Sequence, residues 1–144
     1  MVRKKGIKVT ERLKTKIWHV DKSVDNLRTT RSILEAAERL KKNEVVAFPT
    51  ETVYGLGANA CSDEAVKRIF EAKGRPVDNP LIVHIASFNQ LNGIVRNIPE
   101  TAKKLMKRFW PGPLTLILPK GEGISRNATA GVETIGVSMP DHPV

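Results

Sequence analysis

Short apolar runs rich in β-branched residues alternate with longer amphipathic segments, and this alternation constrains the fold more than any other feature of the sequence. Apolar runs of this length, bounded by Pro, Gly or polar clusters, are typical of buried strands. Their alternation with helical segments predicts an α/β protein whose strands pair in both parallel and antiparallel directions. The predicted strands are residues 44–48 (EVVAF), 80–86 (PLIVHIA), 114–118 (LTLIL) and 134–139 (TIGVSM).

Three segments between or before these strands carry apolar residues at helical spacing, and we predict amphipathic helices there. Ser62 or Asp63 caps the start of the second helix, and Gly74 ends it. Ser87 and Gln90 have the spacing of a capping box and predict a further short helix. The residues predicted to face the core are Leu27, Ile33, Leu34, Ala37 and Leu40, then Val66, Ile69 and Phe70, then Ala102, Leu105, Met106 and Phe109.

The chain is strongly basic, with a formal net charge of +9 over 144 residues, but the excess is concentrated at its start. Residues 1–20 hold seven Lys or Arg and one acidic residue, whereas the remaining 124 residues hold 17 basic and 14 acidic side chains. We expect a basic N-terminal arm over residues 1–20 and one domain over residues 21–144. The arm is either a solvated tail or a contact for a polyanion such as RNA, and both interpretations stay open.

Composition also excludes several classes of protein. A single cysteine, Cys61, rules out an internal disulfide and a Cys/His zinc site. No apolar run approaches the roughly 18 residues of a membrane span, and the basic start leads into no signal-peptide core. We therefore expect a cytoplasmic protein that makes no membrane contact and binds no metal through its own side chains.

Polar clusters follow three of the predicted elements: PTETVYGLG at residues 49–57, KGRPVDNPL at residues 73–81 and PDHP at residues 140–143. In an open α/β sheet, ligands gather at loops that leave the carboxyl ends of strands. In the first cluster, Gly55 and Gly57 are predicted to form a hinge that lets backbone N–H groups approach a polar ligand beside the threonine hydroxyls. The alternative is a turn that the hydroxyls merely cap.

The second cluster places Lys73 and Arg75 on either side of the glycine that ends a predicted helix. The planar guanidinium of Arg75 suits phosphate oxygens, and Lys73 adds a mobile charge. With the amide of Asn79, these residues predict a site for a triphosphate or pyrophosphate that uses no P-loop. The alternative is a pair of solvated cations that complements the helix dipole.

Other patterns point less specifically to function. Gly55-x-Gly57-x-x-Ala60 resembles a dinucleotide fingerprint, but polar residues separate it from the strand. His84, inside an apolar strand, is more often a core residue, and a catalytic pair with Cys61 lacks an activating charge. A basic helix face is usually just solvated, although RNA could use it; its members are Lys103, Lys104, Lys107 and Arg108.

Together, four ordered blocks resemble the YrdC family of L-threonylcarbamoyl-AMP synthases. The blocks are VVAFPTETVYGLGANA, AVKRIFEAKGRPVDNPLIVHI, MKRFWPGPLTLIL and TIGVSMPDHP. The resemblance runs from about residue 33 to the end of the chain. It implies a twisted mixed β-sheet with flanking helices and a large, positively charged concave surface.

The resemblance also implies a reaction. L-threonine, bicarbonate or CO2, and ATP would give threonylcarbamoyl-AMP and pyrophosphate, with Mg2+ on the ATP phosphates. The product would pass through a downstream threonylcarbamoyl-transfer complex to position 37 of tRNA, as t6A. The alternative is a module of the same fold that binds tRNA, double-stranded RNA or a nucleotide without complete catalysis.

Residue by residue, the family pattern makes Thr52 and His84 contacts to L-threonine, with Ser138 at a further threonine position. Arg75 and Asn79 correspond to ATP contacts, and so does Thr134. Lys73 and Arg75 form the Lys-x-Arg motif to which we assign the catalytic role.

The chain departs from the family pattern in two places. Ser138 stands where the pattern has an arginine that pairs with the substrate carboxylate, and serine cannot make a bidentate pair. The chain also stops before the Ser-x-Asn motif of the family, so we expect the C-terminal part of the domain to be missing and one sheet edge to be exposed.

Overall fold

The structure is a computed structural model that describes residues 15–76 and 78–144. It confirms the α/β class, with three α-helices and two small sheets. In chain order, the helices are α1 (Arg31–Lys41), α2 (Asp63–Lys73) and α3 (Glu100–Phe109). The strands are β1 (Val46–Phe48), β2 (Gly55–Gly57), β3 (Ile82–His84), β4 (Gly112–Pro119) and β5 (Thr134–Met139). Single-turn 3-10 helices lie at Leu27–Thr29, Phe88–Leu91 and Arg126–Thr129.

The larger sheet has the strand order β3-β5-β4 and is mixed, because β3 runs parallel to β5 and β4 runs antiparallel to it. Alternate residues of a strand point to opposite faces, so each strand has one face toward the core. The buried face packs under α2 and α3 and forms one apolar cluster with them. Its strand members include Val83, Leu118, Ile135, Val137 and Met139, and Ile85 joins them directly after β3.

The smaller sheet is an antiparallel pair in which Val46 lies opposite Gly57 and Phe48 lies opposite Gly55. The prediction of a hinge at residues 55–57 was therefore wrong, because these residues form β2. Two glycines in three residues give almost no strand propensity of their own. Here, pairing with β1 decides the conformation, and a sequence pattern does not contain that pairing.

Helix α2 ends at the predicted Gly74, and of the two predicted N-cap candidates, Ser62 and Asp63, it is Ser62 that caps its start. The hydroxyl of Ser62 accepts a hydrogen bond from the backbone N–H of Ala65 at 3.3 Å, and Gly74 ends the helix in the left-handed conformation with φ 59°. The predicted inner face, Val66, Ile69 and Phe70, is buried. The short helix at Phe88–Leu91 is also present, with the side-chain oxygen of Gln90 accepting from the backbone N–H of Ser87 at 3.1 Å.

The inner faces predicted for the other two helices were only partly right. Leu27 lies in a 3-10 helix outside α1, and no residue of α1 is fully buried; Leu34 is 52% exposed. In α3, Ala102 and Met106 are buried, but Leu105 and Phe109 are exposed. The reason is contact area: among the described elements, α1 packs mainly on β1 and the neighbouring 3-10 helix, and α3 packs mainly on β4.

The described part of the N-terminal segment lies against α1. The ammonium of Lys16 forms an ion pair with Glu35, and the indole N–H of Trp18 donates to the same carboxylate at 3.0 Å. Together with Arg31, these hydrogen bonds lower the pKa of Glu35 to about 2. The other six basic residues of the predicted arm lie outside the described residues. Within the described ranges, no helix has both the length and the apolarity required to cross a bilayer.

Candidate functional site

A cleft of about 440 Å³ separates the β1–β2 hairpin from β3 and from the C-terminal end of α2. Most of its wall is apolar or backbone, with glycine and alanine on the hairpin side and aliphatic side chains below. Three side chains on its wall can carry charge or donate hydrogen bonds: Lys73, Arg75 and His84. The structure thus brings together three of the predicted site residues, two from the end of α2 and one from β3.

Lys73 is the last residue of α2, and Arg75 follows the left-handed Gly74. Reversal of the chain at that glycine lets both side chains reach the same cleft. Across residues 15–76 and 78–144, neither cation forms an ion pair, whereas Arg68 on the same helix binds Glu64 at 2.6 Å. Two exposed cations without counter-charges at the mouth of a cleft are suited to an anionic ligand.

His84 ends β3 on the strand face opposite the core, since its neighbour Val83 is buried while Ile82 and His84 are exposed. Ile82 and His84 share this outer face, so the interpretation of His84 as a core histidine was wrong. Partial burial lowers the pKa of His84 below its ordinary value, and the carboxylate of Glu51 opposes part of that shift. The lowered pKa favours the neutral imidazole, which can both donate and accept a hydrogen bond.

Ser138 lies directly beside His84, because the two residues are paired partners in the parallel β3–β5 ladder. Thr115 of β4 faces Ser138 from the other side. Ser138 is only 7% exposed, so the position adjoins the imidazole but presents little surface. Thr134, on the same face of β5 by alternation, is exposed at the start of the strand.

The hydroxyl-rich turn at residues 49–54 is organised by Thr50. Its hydroxyl donates to the carbonyl of Val53 at 2.7 Å and accepts from the backbone N–H groups of Thr52 and Val53, each at 3.2 Å. Thr50 therefore acts as the turn cap that the sequence left as an alternative. The hydroxyl of Thr52 is exposed and contacts only that of Thr50, at 3.2 Å, among the side chains described.

Four predicted site residues lie outside the cleft wall: Thr52, Asn79, Thr134 and Ser138. Ser138 is linked to it through His84, whereas Thr52 and Asn79 are on exposed loops. Cys61 is exposed and is not on the wall either, which leaves the Cys61–His84 pair without geometric support.

Phe48 is the wall residue that the sequence interpretation missed. Its ring meets the imidazole of His84 edge to face, with ring centroids 5.9 Å apart and planes at 71°. The available signal was its place at the end of a predicted strand, immediately before the polar turn.

Known proteins are similar to this chain in sequence and in fold. The Sua5/YciO/YrdC family model, described as telomere recombination, matches residues 38–144. The chain is 59% identical over 133 residues to a Bacillus subtilis protein named threonylcarbamoyl-AMP synthase, covering 92% of this chain and 38% of that protein. It is 46% identical to a protein of the same name from Schizosaccharomyces pombe, covering 80% of this chain and 34% of that one.

A solved structure is equally similar. Pyrococcus abyssi Sua5, crystallised in complex with L-threonine, superimposes with a TM-score of 0.75 at 62% identity over 77% of this chain and 33% of that chain. The chain therefore spans about a third of the length of these relatives. The family match covers most of this chain and agrees with its fold. The chain belongs to the Sua5/YciO/YrdC family.

Proposed function

We propose that this chain is the nucleotide- and threonine-binding part of an L-threonylcarbamoyl-AMP synthase. The observation that carries the proposal is the cleft in which Lys73 and Arg75, two cations that form no ion pair with any described residue, share the wall with the imidazole of His84. The names of the similar proteins, and the L-threonine bound to the Pyrococcus abyssi relative, support the same reaction class.

The reaction requires positioning more than covalent chemistry. Bicarbonate and the amino group of L-threonine would give a carbamate with loss of water, and a carbamate oxygen would then attack the α-phosphorus of ATP. The bond from that phosphorus to pyrophosphate breaks, and the products are threonylcarbamoyl-AMP and pyrophosphate. No protein nucleophile takes part, so alignment and charge neutralisation supply the catalysis.

Lys73 and Arg75 would neutralise the charge of the phosphate chain in this scheme. The guanidinium of Arg75 would bind two phosphate oxygens, and the ammonium of Lys73 would stabilise the negative charge that develops during the reaction. Asn79 and Thr134 remain proposed ATP contacts. His84 would bind the polar groups of L-threonine, with Thr52 and the Ser138 position beside it. The apolar wall would keep water from the carbamate, which otherwise loses CO2.

Mg2+ would enter with ATP as part of the substrate complex. Among the described residues, no group of three His, Cys, Asp or Glu side chains is arranged to hold a metal ion. The charged side chains of the cleft wall are cations, which suit phosphate oxygens and not a resident metal. Transfer of the product to tRNA, a cytoplasmic location and a downstream transfer complex belong to the same proposal.

The test is release of pyrophosphate from ATP that depends on both L-threonine and bicarbonate. This chain should be compared with a longer protein carrying it, since the matches cover only 38% and 34% of the two relatives' own length. Dependence on both substrates in the longer protein supports the proposal. Pyrophosphate release that does not depend on L-threonine contradicts the proposal.

The alternative is a binding module of the same fold that holds RNA or a nucleotide without catalysis. Ser138 favours it, because this position beside His84 offers a hydroxyl and no charge for a carboxylate. Tight binding of ATP or RNA without pyrophosphate release, both by this chain and by the longer protein, would support this alternative.

A further inference from the structure

Phe48 occupies a special place in the cleft. Among the described residues of the wall, it is the only aromatic side chain apart from the imidazole of His84. The edge-to-face geometry of the two rings, 5.9 Å and 71°, is a preferred arrangement for aromatic pairs. Because one ring comes from the β1–β2 hairpin and the other from β3, the contact bridges the two sheets.

Gly57 supplies the space in which the Phe48 ring sits. A Cβ added to Gly57 would overlap Cε1 of Phe48 and would lie 3.2 Å from Cζ, closer than ordinary contacts. A Cβ added to Gly55, on the same strand, would lie 3.8 Å from the ring, which is ordinary contact. The ring therefore leans across the hairpin onto Gly57, past its direct partner Gly55.

We propose that Phe48 is a positioning residue whose ring, seated on Gly57, holds the imidazole of His84 in one orientation at the cleft wall. The importance of that orientation for L-threonine rests on the proposed function. The orientation itself is a property of the protein without any ligand, so it can be tested separately.

The surroundings of His84 support this role. The ring of Phe48 shields one side of the imidazole from water, and the lowered pKa of His84 has burial as its main cause. The charged groups around it are Glu51 from the polar turn, which favours protonation, and the cations Lys73 and Arg75 across the cleft. The neighbouring strand β5 contributes the uncharged Ser138. Removing the aromatic cover should therefore raise the pKa of His84.

The two glycines of β2 provide a matched pair of variants. In Gly57→Ala the new methyl group must displace the Phe48 ring, whereas in Gly55→Ala it need not. Titration of the histidine ring signals by NMR would follow His84, with His19 and His142 as references in the same sample. We expect the pKa of His84 to rise toward 6.5 in Gly57→Ala and to stay at its parent value in Gly55→Ala.

Substitution of Phe48 itself also tests the positioning role. Phe48→Leu should raise the pKa of His84 and weaken L-threonine binding about two- to tenfold, the range that aromatic pairs contribute. Phe48→Tyr keeps the ring and should restore both values. Phe88→Leu, which alters an aromatic residue packed on Trp110, should change neither.

The outcomes separate this inference from the proposed function. If His84 titrates as in the parent in both Gly57→Ala and Phe48→Leu, the positioning role is wrong; should one variant fail to fold, the other decides. If the parent protein binds no L-threonine, the proposed function fails, and the NMR titration still decides the role of Phe48.

Discussion

Lys73 and Arg75 are the residues on which the candidate site depends most. A surface cation of a helix can pair with an acidic residue three or four positions away, as Arg68 pairs with Glu64. The two at the end of α2 have none among the described residues and instead share the wall of a cleft. No described acidic side chain offsets the repulsion between these two cations. An anionic ligand should therefore bind there with a favourable electrostatic contribution.

Replacement of Arg75 by alanine should weaken ATP binding about ten- to a hundredfold, because a hydrogen bond to a charged group contributes about 1.5 to 3 kcal/mol. Calorimetric titration of ATP measures the change. The matched control is Arg68→Ala, which removes an equal charge from the preceding helix α2 but breaks an ion pair outside the cleft wall. Equal ATP affinities in the parent and Arg75→Ala would remove Arg75 from the site.

Ser138 is a second single-residue prediction, since it adjoins His84 in the β3–β5 ladder. Ser138→Arg should tighten L-threonine binding about tenfold, or about 1.4 kcal/mol, by pairing with the substrate carboxylate. ATP affinity should not change, and threonine amide should show no gain.

Thr115→Arg is the control for Ser138→Arg, because it adds the same charge one strand further from His84. Binding measured by calorimetry should improve only in Ser138→Arg. If L-threonine affinity rises equally in both variants, the effect comes from added positive charge in general. If it rises in neither variant, Ser138 does not lie at the carboxylate position.

At the scale of elements, the end of α2 determines the geometry of the site. Left-handed backbone is strained for residues with a Cβ, so Gly74 allows the helix to stop and the chain to reverse in one residue. The reversal is what lets both flanking cations line the cleft. A change at this position should therefore affect ligand binding as well as stability.

Gly74→Ala should lower the free energy of unfolding by about 1 to 2 kcal/mol, the cost of placing a Cβ in left-handed backbone. The methyl group itself would meet no atom within 4 Å, so the cost is conformational. Gly131 has φ 77° and equally open surroundings, which makes Gly131→Ala a matched control. Chemical denaturation should show similar losses for both variants, while only Gly74→Ala weakens ATP binding. A similar ATP affinity in the two variants would contradict a role for this helix end.

For the molecule as a whole, the cleft lies between the two sheets. The strongly basic N-terminal residues precede both sheets in the sequence. The described part of that segment is tied to α1 through Lys16 and Trp18, which both contact Glu35. Because of these contacts, deletions in the predicted arm should separate residues 1–14 from residues 15–20.

If the arm binds a polyanion, deletion of residues 1–14 should weaken binding to RNA and flatten its salt dependence, because fewer phosphate charges are neutralised. ATP affinity should stay the same. RNA binding measured at several salt concentrations, with and without the segment, provides the test. Unchanged RNA affinity would favour the solvated-tail interpretation. Deletion of residues 1–20 should additionally destabilise α1, which would lose its contacts at Glu35.

The amino-acid sequence by itself determined the α/β class, the limits of α2 and of β5, and the pairing of Lys73 with Arg75 around a helix-ending glycine. These features are local: caps, apolar periodicity and glycine stops act within a few residues of each other. The same locality explains why Ser62 and Gly74 were correctly assigned.

Only the tertiary structure decided the rest. Alternation showed that Ile82 and His84 share a face, but not that this face lies opposite the core. Strand β2 exists because β1 pairs with it, and the exposure of Leu105 and Phe109 follows from how little of α3 the sheet covers. The contact of Phe48 with His84 joins residues 36 positions apart, from two different sheets. Such pairings depend on where distant segments meet, which no local pattern encodes.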